Sequence, residues 1–124
     1  MKKPIIVILV LIYIFLGANM LFAFEDPTPD AFTFTDRTNV ALNTEFKSNA
    51  ITVSGINTAS PISVTGGTYS INGAAYTSAS GNVSLGNTVK VRKVSAGTYS
   101  TTKSATLTIG TVSDTFSVTT LTGP

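Results

Sequence analysis

A chain of 124 residues with 11% charged side chains and no cysteine, histidine or tryptophan is one domain at most. Without cysteine it has no disulfide framework, thiolate metal site or thiol nucleophile, and without histidine it lacks the commonest metal ligand and general base. A formal charge of +2, few charged residues and many Thr, Ser, Val and Ile argue against disorder, coiled coil and nucleic-acid binding.

The N-terminal stretch differs from the rest. Lys2 and Lys3 precede an unbroken apolar run from Ile5 to Leu16, and Gly17, Ala18 and Ala23 follow as small residues. This is the anatomy of a secretory signal in a hydrophobic helix over residues 1–23, with cleavage expected after Ala23. The alternative is an uncleaved anchor, because residues 4–24 are long enough to cross a bilayer. Either way the chain is expected to be secreted or held at the cell surface, with a membrane contact only through that segment. Removing Lys2 and Lys3 leaves six basic and six acidic residues, so the exported part is neutral. Long-range steering toward nucleic acid or anionic lipid is then weak.

Residues 24–30 contain Pro27 and Pro29 and read as an extended lead-in. From residue 31 onward the pattern is short apolar/polar alternation broken by Gly, Asn, Ser and Pro, which predicts half-buried strands. The expected strands are 31–35, with Phe32 and Phe34 on one face; 42–47, with Leu42 and Phe46 together; 50–54, with Ile51 and Val53 inward; and 61–65, with Ile62 and Val64 inward. Asn72-Gly73 then predicts a two-residue type I′ turn joining 68–71 to 74–77. That register pairs Tyr69 with Tyr76 on one side. A short strand at 82–85 turns at Gly86-Asn87 into 88–94, with Val89 and Val91 inward and Lys90 and Arg92 outward. Arg92-Lys93-Val94 interrupts the alternation and predicts a bulge or a strand end. A polar loop over 95–102 leads to 104–109, with Ala105, Leu107 and Ile109 inward. A turn at 110–113 leads to the closing strand 115–120, with Phe116 and Val118 inward. Residues 121–124 form a tail.

Eight or nine short strands with no helical crossover predict an all-β, antiparallel sandwich over residues 31–120. Thr suits its solvent faces, because it is β-branched and carries a hydroxyl.

Several segments resemble one immunoglobulin-like β-sandwich repeat of bacterial secreted and cell-surface proteins. They are Pro29-Asp30-Ala31-Phe32-Thr33-Phe34-Thr35-Asp36, residues 48–56 (SNAITVSGI), Tyr69-Ser70-Ile71-Asn72-Gly73, residues 86–92 (GNTVKVR) and residues 105–110 (ATLTIG). Such repeats usually stand in long arrays, and this sequence holds one. The resemblance implies a structural or adhesive module and brings no catalytic residues.

The chemistry-bearing residues fit that reading. The acids Asp30, Asp36 and Glu45 would have to converge to hold Ca²⁺, and no calcium-loop spacing is present, so no metal or cofactor is expected. Most of the six acids sit where Asp serves as a turn former, so no catalytic pair is expected. Lys90, Arg92, Lys93 and Lys103 form the one basic cluster, read either as a partner contact or as a charged face that discourages edge pairing. Tyr69, Tyr76 and Tyr99 could form a sugar-binding platform; cross-strand packing accounts for the Tyr69/Tyr76 pair, which leaves Tyr99, in the 95–102 loop, as the candidate contact for a glycan. The leading expectation is a non-enzymatic structural or interaction module. Its partners would be other copies of itself, joined through edge strands or a donated 24–30 segment, or other surface proteins. The alternative is a small adhesin or carbohydrate-binding domain.

Overall fold

The computed structural model describes residues 24–124, so the expected signal or anchor helix lies outside the described residues. Nine strands follow in order: β1 (Arg37–Val40), β2 (Glu45–Lys47), β3 (Ile51–Thr52), β4 (Ser60–Thr65), β5 (Thr68–Ile71), β6 (Gly81–Val83), β7 (Thr88–Val94), β8 (Thr102–Ile109) and β9 (Val112–Thr120). Among the described residues no helix is long and apolar enough to cross a membrane. One sheet has the order β1-β9-β8-β4-β6. In the other, β7 is central, with β2 and β3 along one edge and β5 along the other.

Period-two alternation builds the core shared by the two sheets. Val89 and Val91 of β7 face Leu107 and Ile109 of β8 and Phe116 and Val118 of β9 within one cluster, and all six have 0% exposure. The opposite face of the β8–β9 hairpin is a ladder of hydroxyls. Thr102 pairs with Thr119 at 2.7 Å, Ser104 with Ser117 at 2.8 Å, Thr106 with Thr115 at 3.0 Å and Thr108 with Ser113 at 2.7 Å. Cross-strand hydroxyl pairs of this kind contribute roughly 0.2–1 kcal/mol each.

The chain passes from one sheet to the other at Gly66-Gly67, between β4 and β5. A Cβ on Gly66 would lie 2.6 Å from the Ser104 carbonyl oxygen, and one on Gly67 would lie 2.6 Å from that of Arg92. Backbones approach so closely there that only glycine fits.

Side chains complete the ladder where the backbone departs from it. The register Lys47↔Arg92 resumes as Ile51↔Val89, so one extra residue bulges out between β2 and β3. Ser48, at that bulge, donates its N–H to the Val91 carbonyl at 2.7 Å, and its hydroxyl accepts the Val91 N–H at 2.8 Å. The expected strand 31–35 is instead an extended segment whose first strand proper is β1. Phe32 and Phe34 do face the core, ring edge to ring at 5.8 Å. The segment's partners are side chains: the Phe34 N–H donates to Asp114 at 2.8 Å and the Thr35 N–H to Asn49 at 2.8 Å. The Ser117 N–H returns a bond to Asp36 at 2.9 Å.

Other expectations change in register or extent. The pairing is not wholly antiparallel, because β1 runs parallel to β9. Leu42 lies in a turn before β2, with Asn43 at φ 52°. The Asn72-Gly73 turn forms as expected, with both φ positive and the Ala74 N–H donating to the Ile71 carbonyl. Its arms slip by one, however, and Tyr69 opposes Thr77. Tyr69 therefore enters the core, where its hydroxyl donates to the Ala79 carbonyl at 2.6 Å, and Tyr76 turns to the outside. Strands β6 and β7 belong to different sheets and do not form a hairpin. β7 has the expected extent, and of the two readings of its Arg92-Lys93-Val94 break it takes the strand end, at Val94 opposite Glu45. The β8–β9 turn is tighter than expected, with Ile109 already paired to Val112.

Truncating Phe116 to Ala removes the largest fully buried side chain and should cost about 3–5 kcal/mol in urea unfolding. Burial raises the Tyr69 phenol above its ordinary pKa, so the fold favours its neutral form. That stabilisation is whole below pH ~10 and is lost as pH rises beyond it, where the unfolded chain ionises first. Tyr69→Phe should flatten the alkaline arm of a stability–pH profile while costing about 1 kcal/mol at neutral pH.

Candidate functional site

The pleat that sends Val89 and Val91 inward sends Lys90 and Arg92 to the outer face of the second sheet. Lys47 of β2 lies directly opposite Arg92, and Ser70 of β5 opposite Lys90. The slipped 72–77 turn brings Tyr76 over this face. The Arg92 guanidinium stands 4.5 Å from the centre of the Tyr76 ring, and the Lys47 ammonium 5.6 Å from it. Cation–π contacts of this kind are worth about 0.5–1 kcal/mol at exposed sites. Arg92 is held further by an ion pair to Glu45 at 3.1 Å and by a bond from Nε to the Thr68 hydroxyl at 3.2 Å. The Tyr76 phenol is raised above its ordinary pKa, mainly by burial, with Arg92 lowering it and Glu45 raising it.

These elements enclose a hollow of about 350 Å³ lined by Lys47, Ser70, Gly73, Tyr76, Thr88 and Lys90. Its lining includes two ammonium groups and no carboxylate. The nearby carboxylate, Glu45, is engaged by Arg92. Asn72 holds Thr88 in place, accepting the Thr88 N–H at 2.8 Å on its side chain and donating its own N–H to the Thr88 carbonyl.

The basic cluster expected from the sequence is divided by the fold. Lys90 and Arg92 share the outer face. Lys93 points the other way along the strand and donates to the Gly66 carbonyl, beside a second hollow of about 200 Å³. Lys103 belongs to β8 in the other sheet, opposite Val118. Tyr99 is half exposed on the β7–β8 connection, against Gly123, and is not part of the hollow's lining. Lys47 is the member the sequence reading missed, and Tyr76 is one it assigned to packing against Tyr69. Both lie on segments recognisable as strands or turns, but only the β2–β7 and β5–77 registers bring them together.

The carboxylates are spread along the edges. Asp30 accepts the Ser54 hydroxyl at 3.0 Å, Asp36 and Asp114 accept backbone N–H groups, and Glu45 pairs with Arg92. Among the described residues no three metal-ligating side chains come together. No protein-family model, curated protein or solved structure matches this chain.

The Arg92–Glu45 pair is about a third and a half exposed at its two side chains, so water screens it. Glu45→Gln should change urea stability by less than about 1 kcal/mol, and that difference should shrink in 1 M NaCl, where the Debye length is about 3 Å. Arg92→Ala should cost more, because it also removes the Tyr76 and Thr68 contacts.

Proposed function

We propose that this chain is an exported, non-enzymatic structural module of the cell surface, an immunoglobulin-like β-sandwich that bears tension between its two ends. Export rests on the Lys2-Lys3 and apolar pattern of residues 1–23, and the sandwich class on the two sheets with a shared core. The observation that carries the mechanical reading is the path of the chain. Residues 24–30 lie at the pole of the β8–β9 turn. There the Ser60 hydroxyl donates to the Pro27 carbonyl at 2.6 Å, and the Asp30 N–H donates to the Ser54 carbonyl at 2.9 Å. Residue 121 lies at the opposite pole, where the Ser100 N–H donates to its carbonyl. The length of β8 separates these poles by about 25 Å.

Between the poles the segment 30–40 runs parallel to β9. Tension on the two ends therefore slides this segment and β9 in opposite directions along their length. The bonds between them lie across that direction and share the load: Phe34 to Asp114, Ser117 to Asp36, Leu121 to Val40, and the β1–β9 pairing. Two of these are bonds to charged carboxylates, worth about 1.5–3 kcal/mol each. The lead-in is seated on its own domain in this fold. Its neighbours on this reading are other copies or other surface proteins joined at either pole.

Single-molecule pulling on a tandem array of residues 24–124 tests the reading, since forced unfolding reports the unfolding barrier. The domain should unfold at higher force when pulled through its ends than when pulled between residue 24 and Thr111, which share a pole. Asp114→Ala should speed unfolding about tenfold to a hundredfold, with Asp114→Asn restoring much of the loss. Equal forces in the two pulling geometries would rule the tension-bearing role out.

A further inference from the structure

We infer that the hollow on the outer face of the second sheet binds a carboxylate-bearing sugar unit of an acidic polysaccharide. The ligand class comes from four properties of the site. First, its charge is one-sided. Lys47 and Lys90 line it, and among the described residues neither is in an ion pair. Lys47 sits opposite Arg92 on the neighbouring strand, and Lys90 is two residues along from Arg92 on the same face. Diagonal positions of that kind have backbones about 7–8 Å apart, which lets two long ammonium side chains close on a single anionic group between them. Second, no carboxylate lines the hollow, and the nearby Glu45 carboxylate is paired with Arg92.

Third, the wall is made for a hydroxylated ligand. Tyr76 gives it an aromatic ring, and Thr88 and Ser70 give it hydroxyls. The Ser70 proton is committed to the Ala74 carbonyl at 2.6 Å, so its oxygen is left to accept from the ligand. Gly73 leaves that side open, since a Cβ there would meet nothing within 4 Å. Fourth, about 350 Å³ is at the small end of ligand sites and suits one or two sugar rings of a longer chain that continues into solvent. The site is independent of the tension-bearing path, which runs along β1 and β9 in the other sheet. The glycan contact thus falls at Tyr76 and the two lysines, away from Tyr99.

The test is calorimetric titration of residues 24–124, which carry their own core, with oligogalacturonate of about six sugars. A neutral galactose oligomer of the same length and sodium acetate serve as separate probes. Oligogalacturonate should bind with a Kd of about 1 mM or tighter, and the neutral oligomer and acetate at least tenfold more weakly. Lys47→Ala/Lys90→Ala and Tyr76→Ala should each weaken binding tenfold or more. Tyr99→Ala should leave it unchanged. The lysine pair is exposed, so circular dichroism and urea midpoint should show that variant folded. Lys47→Arg/Lys90→Arg should keep binding if a cation is what matters. Equal binding of the neutral oligomer, binding that survives the double lysine variant in a folded protein, or no binding of oligogalacturonate at 5 mM would each overturn the inference. An acetate affinity matching that of the oligomer would also overturn it, as an adventitious anion contact without sugar recognition.

Discussion

The pleat of β7 governs both the stability and the surface chemistry of this protein. Successive residues of a strand point to opposite faces, so Val89 and Val91 cannot be buried unless Lys90 and Arg92 are thrust outward. β7 is also the only strand of its sheet paired along both edges, with β2 and β3 on one side and β5 on the other. A one-residue slip would exchange the two faces and put a lysine and an arginine into the core. The burial of two valines therefore places the cationic hollow, and the hollow inherits its rigidity from the core beneath it.

A second theme is the use of side chains where the backbone ladder ends. Ser48 supplies a hydroxyl in place of a carbonyl at the bulge, Asp114 and Asn49 do the same for the segment that precedes β1, and Asp36 of that segment does so for β9. An edge with unpaired N–H groups invites pairing with another chain. Carboxylates along the edge satisfy those groups within the molecule and strengthen the bond, because the acceptor is charged. The same bonds lie across the direction of pull between the poles, so edge protection and resistance to tension come from one set of contacts. The outer face of β8 and β9 takes the opposite course. Its hydroxyls pair with each other and leave a neutral surface.

Much of this was readable from residue order alone. Alternation identified the inward residues of β7, β8 and β9 and of the segment around Ile51 and Val53, and Asn72-Gly73 marked its turn. Alternation is a local property and survives without knowledge of partners. The hairpin register was not readable. The turn formed, but Tyr69 opposed Thr77, because the side chain of Tyr69 gains more from the core and the Ala79 carbonyl than from an exposed pair with Tyr76. The candidate site was legible only in part for the same reason. Lys90 and Arg92 stood out as outward residues of one strand, whereas Lys47 joins them through a pairing distant in sequence and Tyr76 through the shifted register of its own hairpin. Lys93 and Lys103 looked like neighbours of that pair, and the pleat and the two-sheet division separate them.

By itself, then, the sequence determined the all-β character, the faces of its longest strands, and the absence of thiol and imidazole chemistry, since these follow from composition and a two-residue period. Tertiary structure alone decided which strand pairs with which, that the first runs parallel to the last, that β6 and β7 part into different sheets, and that the hollow gathers two lysines and a tyrosine beside an arginine. Those outcomes depend on contacts between distant segments, where burial of whole faces outweighs any local preference of the residues that make them.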